Sequence, residues 1–300
     1  MTIAVVLKVG DGVVLGADSA STLMTGPSSV YNVYFNAEKI WNVVKGLPVG
    51  VVTYGLGGLA GRSVASLAKD LRASLSEDGT RALVPHAYTV EQVASEILAF
   101  FFETLYRAES PRTRRRAPDG TEVEEFASMG FLVAGYSADA PHAEVWQVEV
   151  GPDGMCPAPV QVVERAKTGA LWKGYPEALN RLMRGWSTEV GEGLVNSGIA
   201  AADVGAFLEA LPVERLFHAA MPLQDAIDLV HFMVDVTAGF VRFAPGPSAV
   251  HPPTDSAAIT RHEGFRWVRR KHYYSTELNL PVSAQAMRVP TPTRGPNVEP

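Results

Sequence analysis

A single cysteine in 300 residues leaves nothing from which to build an intrachain disulfide framework, and Cys156, inside Gly154-Met155-Cys156-Pro157, reads as a loop or strand-edge residue rather than a thiol nucleophile. No stretch approaches the roughly 18 consecutive apolar residues of a membrane span. Near the N-terminus, Lys8 and Gly10 interrupt the one candidate apolar stretch for a signal-peptide core. These absences predict a cytoplasmic protein with no membrane contact. Positive charge is scarce as well: the net charge is −6, without the concentrated basic face that nucleic-acid phosphates require, so no nucleic-acid partner is expected. The seven histidines form no close pair with a nearby acid at zinc-ligand spacing, which predicts no metal. Gly55-Leu56-Gly57-Gly58-Leu59-Ala60-Gly61 follows a strand pattern, but no alternating βαβ series accompanies it, so neither a nucleotide nor any other cofactor is expected.

What the chain does have is concentrated at its start. Ile3, Val5, Leu7 and Val9 alternate with Ala4, Val6 and Lys8; Gly10-Asp11-Gly12 supplies turn residues; Val13-Val14-Leu15 starts a return strand that ends on Asp18. Folding about Gly10 brings Asp18 across from Thr2. With Met1 removed, Thr2 would carry a hydroxyl and a free α-amine on one residue, and that amine can take the hydroxyl proton that a histidine takes in other hydrolases. Its unperturbed pKa of about 7.7–8.0 suits a general base. A partly buried Asp18 needs a cation to stay ionised, and Lys39 is the first lysine after Lys8.

The stretch from Thr2 to Gly55, with Asp18-Ser19-Ala20-Ser21-Thr22, Asn36-Ala37-Glu38-Lys39-Ile40 and Gly50-Val51-Val52-Thr53-Tyr54-Gly55, resembles the start of a proteasome β-type subunit, an N-terminal-nucleophile (Ntn) hydrolase. Phe131-Leu132-Val133-Ala134-Gly135-Tyr136 and Glu144-Val145-Trp146-Gln147-Val148 are similar to the family's second sheet. Asp235-Val236-Thr237 and His251-Pro252-Pro253-Thr254-Asp255 resemble the bacterial ancestral β-subunit branch more than the archaeal or eukaryotic core particle. The resemblance implies Thr2 as nucleophile, Lys39 as the positive charge that lowers the pKa of hydroxyl and amine, and Asp18 as the residue that orients Lys39. It implies Gly55 N–H as oxyanion donor, Thr22 as binder of substrate backbone, Thr53 as a pocket wall, and Thr168, in Lys167-Thr168-Gly169, in place of the serine that supports the terminal amine. Two family features are missing. The family's Asp-Ser-Arg is Asp18-Ser19-Ala20 here, and its Arg-Asp-x-x-Ser-Gly signature is absent, with Asp235 the nearest substitute for the acid.

Further strands are expected near 38–44, 49–54, 129–136, 143–150, 159–166, 255–260 and 265–270. Apolar stripes at Val64, Leu67, Leu71 and Leu75 and at Val93, Ile97, Phe100, Phe101 and Leu105 predict two helices, with Phe100-Phe101-Phe102 as core. More helices are expected over 174–184, 201–210 and 222–238, the last with His231 as a packed or surface residue. Residues 108–125, rich in arginine and glutamate, and 186–200, rich in glycine and serine, read as loops inserted into one domain spanning 1–274; 275–300 is a proline-rich tail, extended or disordered. Periodicity supports an α+β fold, and the resemblance implies a four-layer αββα sandwich. The expected function is that of a threonine peptidase subunit in a self-compartmentalised bacterial assembly, a ring or spiral of like subunits acting on peptide or unfolded protein. An Ntn amidase for small amides and a catalytically silent structural subunit stay open beside it.

Overall fold

The computed structural model describes residues 2–24, 30–116, 121–211, 216–246 and 248–271. The chain divides into two compact units, Met1–Arg270 and Lys271–Pro300. The proline-rich tail lies outside the described residues, and every element named below belongs to the first unit.

The predicted hairpin is present. β1 (Ile3–Lys8) and β2 (Val13–Ala17) pair with Ala4 opposite Ala17 and Lys8 opposite Val13. β3 (Ser21–Met24) and β4 (Val30–Tyr34) make a small antiparallel sheet, followed by β5 (Ile40–Asn42), β6 (Val49–Gly55) and the short pair β7 (Gly58–Leu59) and β8 (Arg62–Ser63). The Ser63 side chain caps α1 (Val64–Leu75) by accepting from the Ser66 N–H, and Thr89 caps α2 (Val90–Ile97) by accepting from the Gln92 N–H. The second helix continues as a π-helix over Leu98–Tyr106 into α3 (Arg107–Glu109).

Two segments expected as loops contain strands and a helix among their described residues. Within 108–125, β9 (Arg112–Arg116) and β10 (Glu122–Phe126) form a hairpin that sets Arg114 opposite Glu124, so the charges that suggested a solvated loop face each other across a ladder. β11 (Met129–Gly135), β12 (Glu144–Val150) and β13 (Val160–Val163) lie where strands were predicted. β14 (Gly169–Gly174) was missed, and the helix expected from 174 starts instead with α4 (Glu177–Leu179), extended by a π-helical turn over Asn180–Arg184. Within 186–200, Ser187 accepts from the Val190 N–H and caps α5 (Thr188–Asn196); α6 (Ala201–Ala210), α7 (Leu223–Phe243), β15 (Asp255–Thr260) and β16 (Gly264–Arg269) complete the unit.

The fold is α+β, with two five-stranded antiparallel sheets. One has the order β14-β1-β2-β15-β16 and the other β13-β12-β11-β6-β5. β1 is buried along its whole length because both of its faces are covered. Ile3, Val5 and Leu7 pack with Val230, Met233 and Val234 of α7, while Ala4 and Val6 pack with Val52, Leu132 and Ala134 of the other sheet. A third cluster joins Val49, Val51, Phe131 and Val133 to Leu67 and Leu71 of α1, to Val93 and Ile97 of α2, and to Phe101 and Phe102, the predicted core aromatics. Gly16 lets α7 approach: a Cβ there would lie 2.3 Å from Val230 Cγ1. No helix among the described residues is long and apolar enough to cross a membrane.

Candidate active site

Asp18 follows the last residue of β2 and has no exposed surface. Its carboxylate accepts four hydrogen bonds: Oδ1 from Ile3 N (3.0 Å) and Lys39 Nζ (2.6 Å), Oδ2 from Ala20 N (2.8 Å) and His251 N (3.2 Å). Each carboxylate oxygen thus has two donors, which is what an ionised acid away from water requires. Lys39, 6% exposed, is held at the start of β5, where its carbonyl accepts from Thr53 N at 2.9 Å. The hairpin thereby delivers the acid and the neighbouring sheet delivers the ammonium.

Thr2 is buried at the head of β1. Its carbonyl accepts from Tyr175 N at 2.7 Å, and Gly174 lies so close, at φ +100°, that a Cβ there would sit 1.9 Å from the Thr2 oxygen. Thr2 is therefore clamped between the Asp18 loop and the turn after β14. Gly55, the exposed last residue of β6, has φ +81°, and a Cβ there would meet the Ser128 carbonyl oxygen at 2.4 Å. Glycine is required there both by the backbone angle and by the close approach.

Thr53 lies two residues before Gly55 and is buried; its hydroxyl donates to the Gly130 carbonyl at 3.1 Å, so it braces β6 against β11. Thr22, on β3 opposite Val33, has a buried hydroxyl oxygen with no hydrogen-bond partner. Thr168 is elsewhere. In the β1–β14 register Ile3 faces Gly174 and Lys8 faces Gly169, so Thr168 lies past the far end of β1. Continuing that register sets Thr168 opposite Val9, which at roughly 3.3 Å per residue is on the order of 23 Å from Thr2. The residue beside Thr2 is Tyr175.

A loop from far along the chain, to which the motifs assigned no role at the site, also packs against Asp18. His251, besides reaching Asp18, accepts from Ser19 N through its carbonyl at 2.9 Å; Ser19 Oγ donates to the Pro253 carbonyl; and the rings of Phe35 and His251 stack at 4.2 Å. The signal available was the His251-Pro252-Pro253-Thr254-Asp255 motif itself. Asp235, considered as a replacement acid, accepts from Thr254 Oγ1 at 2.9 Å. It braces this loop from α7. Next to Ser128 an open cleft is lined by Gln147, Glu149, Met155 and Cys156. Burial pushes the Cys156 thiol up to about 11, which leaves it a poor nucleophile at neutral pH. His231 lies beside Ser256 Oγ at 2.7 Å, and burial pulls its imidazole below the ordinary range, as suits a packed residue.

No protein-family model matches the chain, and no curated protein does. Among solved structures, the chain is similar to the Anbu (Gly-1) mutant from Hyphomicrobium sp. strain MC1, with a TM-score of 0.51 and 14% identity over 90% of this chain and 86% of that one. It is also similar to Anbu (ancestral beta-subunit) from Yersinia bercovieri, with a TM-score of 0.47 and 10% identity over 90% and 88% of the two chains. At these identities the likeness to the first is one of fold, and the second adds no argument to it.

Proposed function

We propose that the chain is a threonine-type peptidase subunit of a self-compartmentalised, proteasome-like assembly in the bacterial cytoplasm, with Thr2 as the nucleophile once Met1 is removed. The observation that carries this reading is the buried Asp18–Lys39 pair, whose carboxylate also holds the backbone N–H of Ile3, the residue next to Thr2. Lys39 Nζ and the Ile3 N–H share Asp18 Oδ1, which ties the ammonium to the residue after Thr2. In this reading that charge favours the alkoxide of the Thr2 hydroxyl and keeps the α-amine neutral enough to act as base.

In this reading the Thr2 hydroxyl adds to a peptide carbonyl while the α-amine takes its proton. The Gly55 N–H receives the developing oxyanion. Collapse expels the leaving amine with that proton and leaves an ester on Thr2, which water hydrolyses by the same base. Thr22 would bind substrate backbone as an added strand through the main chain of β3, and Tyr175, not Thr168, is the residue that seats Thr2. The four-layer αββα order belongs to the same reading, supported by three apolar clusters: helix against sheet, sheet against sheet, and sheet against helix.

Intact mass and turnover of short peptide reporters test the proposal together. The active protein should start at Thr2; Thr2→Ala should abolish turnover with the fold intact, and Lys39→Ala should abolish it together with a loss of stability from the unpaired Asp18, because nucleophile and field act as a unit. Full activity in protein that retains Met1 would overturn it. Thr2-dependent turnover of small amides but not peptides would favour an amidase. Processed protein that turns over neither, and whose Thr2 resists peptide epoxyketones, would be a structural subunit.

A further inference from the structure

The outer strands β5 and β16 of the two sheets and the flank of α1 enclose a cleft of about 280 Å³ that the proposed chemistry leaves unused. Its floor is apolar, with Ile40, Trp41, Phe265 and Trp267, and its rim carries Lys45, Lys69, Arg72 and Arg270 against one acid, Glu38. Arg270 pairs with Glu38 at 3.3 Å. Arg72 donates through Nε and Nη2 to the Asn42 carbonyl, and neither it nor Lys45 nor Lys69 forms an ion pair among the described residues. Four cations face one acid in this cleft, an excess of positive charge that an anionic, acceptor-rich ligand would balance.

We propose that this cleft is a binding site for a small phosphate-bearing molecule, its phosphate held by Lys45, Lys69 and Arg72 and its body resting on Phe265 and Trp267. A dianion balances the surplus charge better than a single carboxylate does, and the volume admits a phosphate monoester with a small body rather than a nucleotide. Lysine serves as a point charge toward phosphate, and the Arg72 Nη1 edge is left over from its contacts with Asn42. Burial, and after it the nearby Arg270 against the opposing pull of Glu38, holds the Arg72 guanidinium below its ordinary range. The site is independent of the Thr2 chemistry.

The test is titration of the full chain with inorganic phosphate, pyrophosphate and acetate at constant ionic strength set by chloride, read by tryptophan fluorescence and thermal unfolding. Phosphate or pyrophosphate should produce a saturable change larger than acetate or chloride produces. The exposed pair of substitutions Lys45→Gln and Lys69→Gln, which leaves the core untouched, should weaken that binding by about tenfold or more, since charged hydrogen bonds are lost. Arg72→Gln should do the same, and Thr2→Ala should bind as the parent does. An unchanged response in the double lysine variant, or no response beyond chloride, overturns the proposal. Binding of anionic phospholipid vesicles without binding of free phosphate overturns it too.

Discussion

Asp18 shows how much one carboxylate organises. It ties β1, the Ala20 turn, the His251 loop and Lys39 to one point in the interior. Asp18→Asn keeps the shape and leaves the Lys39 ammonium buried without this counter-charge. Breaking a buried pair from one side costs about 3–5 kcal/mol, and chemical denaturation should show a loss of that size. A loss under about 1 kcal/mol, as at an exposed pair, would mean that the charge is compensated elsewhere. Gly174→Ala is expected to impair turnover without touching a reacting group: its methyl would push on the Thr2 carbonyl at a backbone angle that alone costs about 1–3 kcal/mol for other residues. Normal peptide turnover in Gly174→Ala would count against the seating role of the Gly174–Tyr175 turn. Lys8 is a further buried cation, donating to the carbonyls of Glu164 and Arg165, and burial lowers its pKa to about 8 despite the attraction of Glu144. The unfolded chain binds this proton up to an ordinary value near 10.5, so between pH 8 and 10.5 it holds more protons than the folded state. Stability relative to Lys8→Met should therefore rise with pH across that window. A flat or falling difference would show that the folded protein keeps Lys8 charged.

At the scale of elements, local chemistry decides more than composition does. The glycine and serine content of 186–200 suggested a loop, yet Ser187 caps α5 and the chain there is helical. Ser187→Ala should cost about 0.5–2 kcal/mol, centred near 1, and speed hydrogen exchange over 188–196. Unchanged exchange would mean that packing, not the cap, starts the helix. The β9–β10 hairpin makes the opposite case: its Arg114–Glu124 pair is half exposed at 3.5 Å, so Arg114→Ala should shift stability by no more than about 0.5 kcal/mol. The missed strand β14 has a plain cause as well. Its residues Ala170, Leu171, Trp172 and Lys173 carry no alternation of their own, and they are extended because β1 offers them a partner from Ile3 to Lys8.

For the whole molecule, the outer helices leave large apolar side chains in water: Phe207 of α6 is 58% exposed, and Phe232 and Phe243 of α7 are 46% and 82% exposed. Such surfaces are at home between like subunits, and light scattering should find an oligomer. A particle of 32.2 kDa at working concentration would count against the proposed compartmentalised assembly. The sequence by itself determined the elements whose pattern is local and strong: the β1–β2 hairpin with Thr2 and Asp18 at its open end, the stripes of α1 and α7, and Lys39 through its motif. In the hairpin and the helices, neighbours in sequence are also neighbours in space, so alternation or helical period records the burial directly; Lys39, 21 positions from Asp18, was legible through the family resemblance instead. Tertiary structure decided the rest of the site. His251 meets Asp18 from 233 positions away, and Tyr175, rather than Thr168, meets Thr2 because the β1–β14 register fixes the pairing. Those contacts depend on how two distant strands slide against each other, and a two-residue shift in that register would leave the local sequence pattern unchanged while moving every partner about 7 Å along β1.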